Sequence, residues 1–295
     1  MALEHEPQGA LVQITVMSQN LGRGGWKHTD GAIEDRWPQL AAAINAVRPD
    51  ILLGQEAEGW SADGHARLTR AEYDLDMDGL LAPSPSGLGP VTLYRRDTMG
   101  RRTYLNHDFS AHETHHGFEA VGWNLPCLPA PLVAGSVHLT PYDPVRAASE
   151  VSFMGSRVHR TGGGFAILGG DFNFPPVAGP EPAYERMRPY NRGSRLIVID
   201  PENPGPPAPD RSVAWRIAAK GFTDVSWHLY KESGDVNLLT RTGRDDRIDW
   251  ILVSDPLVPC ITDYGVSDTG SDHRGIWVKL DLTKISTTSD AWSYR

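Results

Sequence analysis

Near the middle of the chain, ILGGDFNFPP (167–176) carries an apolar run straight into Asp171-Phe172-Asn173, and two prolines then end any regular structure. A carboxylate and a carboxamide two residues apart suit an Asx-turn, because both side chains bond nearby backbone. At a strand end the same spacing lets both lean into one cleft, where metal ions or phosphate oxygens need ligands. Similar polar groups close other apolar runs. Asn20 ends LVQITVMSQN (11–20), Glu56 ends ILLGQE (51–56), and His138 stands near the end of PLVAGSVHL (131–139). Asp249 lies early in RIDWILVS (247–254), and Asp272-His273 sits in the polar loop before GIWVKLDL (275–282). Each residue alone has an ordinary explanation: a turn-forming Asn, a solvated terminus, a core histidine, an outward strand residue, a turn cap. Together they make a site only if these strand ends meet in space.

The elements that must bring them together are mostly strands. The runs at 11–20, 51–56, 91–95, 118–125, 131–139, 165–172, 247–254, 260–266 and 275–282 have strand composition, with a further strand expected near 73–77. The runs at 118–125 and 131–139 read as an antiparallel pair. Helices are expected over 33–48, with Ile33, Trp37, Leu40, Ile44 and Val47 on one face, and within SADGHARLTRAE. Asp143-Pro144 predicts the start of a helix over 141–160, with Asp as N-cap and Pro in the first turn. RSVAWRIAAKG (211–221) predicts a helix closed by Gly221. A stretch rich in Pro and Gly near 174–210 reads as a surface insertion that could narrow a cleft, not as a linker. The expected layout is one domain over 11–284, with tails at 1–10 and 285–295.

The 295 residues are 40% hydrophobic and 22% charged, as in an ordinary water-soluble chain. A net charge of −9 supplies no global attraction to nucleic acid or anionic membranes, so any such contact must be a local patch. Cys127 and Cys260, far apart, make neither a disulfide framework nor a zinc cluster. The acidic start and the lack of a long apolar run predict a cytoplasmic protein without a membrane span. A monomer is expected.

Taken in chain order, QN (19–20), QE (55–56), His138, GDFN (170–173), RIDWI (247–251) and SDH (271–273) resemble the motif series of the endonuclease/exonuclease/phosphatase superfamily. Its members are metal-dependent phosphoesterases with a deoxyribonuclease-like fold. The resemblance runs from about residue 11 to residue 282, and implies an α/β (α+β) fold: a four-layer α-β-β-α sandwich of two packed mixed sheets, with the site at one end. It also implies Mg²⁺ or Mn²⁺ held principally by Glu56, with Asn20 beside it and Asp272 as a further ligand. Asp171 would orient or deprotonate the attacking water, and Asn173 would donate to the phosphate. His273 would act on the phosphate oxygens, its tautomer fixed by Asp249. His138 would stabilise the transition state or protonate the leaving group.

The implied activity is hydrolysis of a phosphate ester, and the first expectation is a nuclease or phosphodiesterase acting on nucleic acid or nucleotides. The alternative is a small-molecule phosphatase or phosphodiesterase of the inositol-phosphate, nucleotide or lipid-headgroup type. An inactive binding module is disfavoured, because both histidines and all the acids are present. Arg95 and Arg146 are candidates to grip phosphate, although Arg146 reads first as an ion-pair residue. Arg101-Arg102 and the trio Arg241, Arg244 and Arg247 are further basic groups. Tyr142 and Phe174, with Trp26 and Tyr190, are candidates to stack on a flat group. His107, His112, His115 and His116 read as incidental, not as a second metal site.

Overall fold

The computed structural model describes residues 13–29, 32–197, 200, 202 and 205–287. The expected tail at 1–10, and residues 288–295 of the other tail, lie outside the described residues. Among the described residues, fourteen strands follow one another. They are β1 (Gln13–Asn20), β2 (Trp26–Thr29), β3 (Ala32–Asp35), β4 (Ile51–Gln55), β5 (Asp78–Leu81), β6 (Val91–Tyr94) and β7 (Arg102–Asn106). Then come β8 (Phe118–Trp123), β9 (Leu132–His138), β10 (Ala166–Asp171), β11 (Phe222–Asp224), β12 (Asp249–Ser254), β13 (Ile261–Ser267) and β14 (Gly275–Asp281).

Twelve strands form two six-stranded sheets, ordered β13-β14-β1-β4-β6-β5 and β11-β12-β10-β9-β8-β7, while β2 and β3 form a separate ribbon. Each sheet contains one parallel pair, β1 with β4 and β9 with β10, among antiparallel neighbours. The expected pair at 118–138 is β8 and β9 in antiparallel register. Ile14, Val16, Ile51, Leu53, Ala134, Ile167, Ile251 and Val253 fill the space between the sheets. The alternate residues face outward. Met17 and Leu52 pack against helices Trp37–Val47 and Ala66–Leu75, and Val133, Leu168 and Leu252 against helices Pro144–Gly162 and Ser212–Ala218. Four layers, α-β-β-α, result, as expected.

Local corrections have local causes. Residues 32–35 belong to the ribbon, and the helix starts only at Trp37 with Pro38 in its first turn. Ile33, expected on the helix face, is 63% exposed. The strand expected near 73–77 is the end of helix Ala66–Leu75, and the chain turns into β5 through left-handed Asp76. The Asp143 cap is as expected, its carboxylate accepting from the Val145 amide. Strands β7 and β11 and helix Val225–Ser233 had no clear sequence signal.

Candidate active site

The two sheets share one alternation. On β1, Ile14 and Val16 point between the sheets, so Ser18 and Asn20 must follow them inward. By the same count Gln55 ends the inward series of β4, His138 that of β9 and Asp171 that of β10, while Asp249 begins that of β12. Each inward series is apolar through the middle and polar at the same end. That is why residues scattered over the sequence meet. The meeting point opens to a cleft of about 560 Å³ lined by Glu56, His116, His138, Tyr142, Asp171, Asn173, Asp272 and His273, among others.

Asp171 sits at the centre and is almost wholly buried. Its Oδ1 accepts the Asn173 amide at 2.9 Å, so GDFN does form an Asx-turn. Its Oδ2 accepts from Asn20 Nδ2 at 3.1 Å and lies 3.7 Å from His138 Nε2 and 3.8 Å from His273 Nε2. Turn and site are one structure. Asn173 reaches the cleft through a left-handed backbone (φ 61°), one residue type for which that conformation is tolerable, rather than by strand alternation. The first glycine of the motif is equally constrained: a Cβ on Gly170 would fall 1.8 Å from the Val137 carbonyl oxygen on β9.

His273 Nδ1 meets Asp249 Oδ2 at 2.9 Å. Burial alone would lower the imidazole pKa, but the Asp249 and Asp171 carboxylates overcome it and push His273 up to about 10. The proton of this buried pair therefore sits on the histidine. His138 Nδ1 faces the Leu88 carbonyl oxygen at 3.4 Å, which can only accept, so that nitrogen carries hydrogen and Nε2 turns to Asp171.

Glu56 follows β4 in a left-handed conformation (φ 58°). Its Oε1 accepts from Asn20 Nδ2 at 3.2 Å and its Oε2 from the Arg23 amide at 2.9 Å. Asn20 is thus a strut between two carboxylates. Its own Oδ1 accepts from the Gly22 amide, and it is fully buried behind the cleft wall, not on it. Gly22, at φ 60°, lets Asp272 stand close, since a Cβ there would lie 3.0 Å from Asp272 Oδ1. Glu56 and Asp272 offer hard oxygen atoms to the cleft, the donor type suited to Mg²⁺ or Mn²⁺. The ligating atoms of Asp171, Asp249 and His273 also lie within 4.8 Å of one another. His273 Nδ1 and Asp249 Oδ2 of that triad are already engaged with each other, which makes the oxygens of Glu56 and Asp272 the better-matched seat.

Several expected substrate contacts fall elsewhere. Phe174 is fully buried in the core beneath helix Pro144–Gly162 and stacks on nothing in the cleft. Arg95 is buried too, its Nη1 donating to the Leu75 and Asp76 carbonyls that end a helix. Arg146 pairs with Glu150 Oε1 at 3.2 Å, the structural role, and is not on the cleft wall. Arg247 is buried against Asp224, both terminal guanidinium nitrogens engaged. Tyr142, 72% exposed, does line the cleft.

Two contributors were missed. His116, from the loop read as incidental, stacks on His138 with ring centroids 3.8 Å apart and planes 9° from parallel. Arg195, from the 174–210 insertion, donates to Asp245 Oδ1 at 2.8 Å and to Asn173 Oδ1 at 3.3 Å. Neither had a sequence signal beyond residue type, because each acts on a partner distant along the chain.

A two-sheet sandwich with acids, imidazoles and amides at one open end defines a phosphoesterase scaffold. Residues 17–273 match the Endonuclease/Exonuclease/phosphatase family, and the chain belongs to it. Similar solved structures include an endonuclease/exonuclease/phosphatase from Bacteroides vulgatus, at 13% identity and a TM-score of 0.60, covering 92% of this chain and 99% of that one. The AP endonuclease LMAP from Leishmania major is 16% identical with a TM-score of 0.59, covering 91% and 88%. The 3′ phosphatase NExo from Neisseria, solved with a product DNA hairpin, is 15% identical with a TM-score of 0.58, covering 91% and 99%. No curated protein matches the chain. Among the described residues, no helix is long and apolar enough to cross a membrane.

Proposed function

We propose that this chain is a Mg²⁺- or Mn²⁺-dependent phosphodiesterase acting on nucleic acid or nucleotides, a cytoplasmic, monomeric hydrolase with its site in a single domain. One observation carries the reading: a buried carboxylate oxygen of Asp171 lies 3.7 and 3.8 Å from two imidazole Nε2 atoms. A carboxylate so placed can hold a water and take its proton as it attacks phosphorus. His273, kept protonated by Asp249 and Asp171, donates to a phosphoryl oxygen as charge builds there. His138, with Nδ1–H fixed on Leu88, presents Nε2 at the reacting end and serves the leaving oxygen. Asn173 spends one amide hydrogen on the Leu139 carbonyl and keeps the other for the phosphate. Asn20 holds Glu56 and Asp171 in place. A divalent cation at Glu56 and Asp272 would neutralise phosphoryl charge.

The neighbours' names, an AP endonuclease and a 3′ phosphatase bound to a product DNA hairpin, support nucleic acid or nucleotide substrates. A small-molecule phosphatase or phosphodiesterase is the second reading, favoured by the insertion, whose Arg188, Tyr190, Asn191 and Arg195 wall one side of the cleft.

The test is hydrolysis of plasmid DNA, single-stranded DNA, RNA, mononucleotides, inositol phosphates and a chromogenic diester with Mg²⁺ or Mn²⁺. Turnover should require the cation and collapse in Glu56→Gln. Full turnover in excess chelator would refute the reading. A steep loss with salt on the best substrate selects a polyanion, a shallow one a compact ligand.

A further inference from the structure

The catalytic groups occupy only part of the cleft. The remainder is a wall of opposite character, formed by the helix Pro189–Arg195 with its preceding residue, and by the loop before β12. Arg188, Arg195 and Arg244 all line it. Arg195 is buried and neutralised by Asp245, so it is scaffold. Arg188 and Arg244 are different. Both are exposed, and neither has an ion-pair partner among the described residues. Arg188 donates to the Tyr190 hydroxyl, and Tyr190 is itself 65% exposed.

We propose that Arg188 and Arg244 form a second anion site in this cleft, one that takes a non-reacting phosphate of a compact substrate. The proposal rests on the second, small-molecule phosphatase reading and narrows it to phosphomonoesters bearing a second phosphate, such as nucleoside bisphosphates. In a chain with a net charge of −9, two unpaired guanidiniums in one concavity run against composition. Both line the same cleft as Asp171, Asp272 and His273. Guanidinium suits the task, because its planar fork makes paired, charge-assisted hydrogen bonds to phosphate oxygens. A duplex would call for a track of cations along the surface, whereas these share one cleft of about 560 Å³. Two exposed rings, Tyr142 and Tyr190, line the same cleft and offer a flat group a stacking surface.

Binding in chelator, where the phosphoesterase reading allows no turnover, tests the site separately from the chemistry. The probes are adenosine 3′,5′-bisphosphate and adenosine 5′-monophosphate, followed by titration calorimetry. The wild type should prefer the bisphosphate by about tenfold or more. The double variant Arg188→Gln/Arg244→Gln should bring that ratio close to one, and Arg188→Lys/Arg244→Lys should recover part of it. A wild-type ratio near one overturns the proposal. So does a ratio unchanged in the double variant, or an equal weakening of both ligands, which would be general electrostatics. Failure of the hydrolysis panel would instead count against the phosphoesterase reading.

Discussion

The imidazole of His116 lies flat against that of His138, 3.8 Å away between ring centres, and its Nδ1 is bonded to Ser86 Oγ at 2.7 Å. Burial, then the neighbouring His138, His115 and Arg146, drive the His116 pKa down to about 2. It is a neutral plate that fixes the plane of a proposed catalytic ring.

His116→Ala should therefore lower turnover on a chromogenic diester by about tenfold while leaving KM nearly unchanged, as loss of alignment does. His116→Phe keeps the flat contact and should recover most of the rate. Equal activity in all three proteins would reduce the stack to packing.

Asp171→Asn keeps an oxygen able to accept the Asn173 amide, so the turn should survive and the melting temperature stay near the wild-type value. Turnover should still fall on the order of 10²-fold or more, because the charge and basicity at the reacting centre are gone. Asn173→Asp sets an anion against the phosphate and should be similarly impaired. Near-normal turnover in Asp171→Asn would leave GDFN as a turn alone.

The His273–Asp249 pair gives a pH signature in metal-free protein. The folded-state pKa of His273, about 10, lies above its ordinary 6.5. The pair's stabilisation is thus complete below about pH 6.5 and is lost as pH rises through about 10. Chemical denaturation between pH 7 and pH 10 should show the wild type losing more stability than Asp249→Asn, by on the order of 1–3 kcal/mol. Parallel curves would mean that no such proton is held.

Arg195→Met leaves Asp245 buried without its counter-charge, and breaking a buried pair from one side costs about 3–5 kcal/mol. The thermal melt should drop accordingly. Arg195→Met/Asp245→Leu should regain much of that loss without restoring turnover, since Asn173 Oδ1 still lacks its donor. Full activity in the double variant would show that Asn173 needs no such anchor.

The layers and the polar end that forms the candidate site were legible because one alternation governs them: the strands that bury Val16, Leu53, Ala134 and Ile167 deliver Asn20, Gln55, His138 and Asp171 to the same end. Ile33 misled because its spacing to Trp37, Leu40 and Ile44 fits a helix, whereas Pro38 marks where the helix starts. Phe174 misled because residues around prolines read as loop, although its ring closes the core under helix Pro144–Gly162. The insertion was legible as a length of chain but not as a wall. Its hold on the site, Arg195 to Asp245 and Asn173, joins residues 50 and 22 positions apart. No local pattern records such a contact.

The site straddles a seam. Asn20 and Glu56 belong to one sheet and Asp171 to the other, yet the Asn20 amide bonds both acids. His273, on the loop entering β14, crosses the same boundary to Asp249 on β12. Neither half of the sandwich owns all of these groups, so a slip of one sheet over the other would pull the proposed base from the proposed cation seat before any strand frayed. Competence here is a property of the joint, and this hydrolase should fall silent on loosening, well ahead of unfolding.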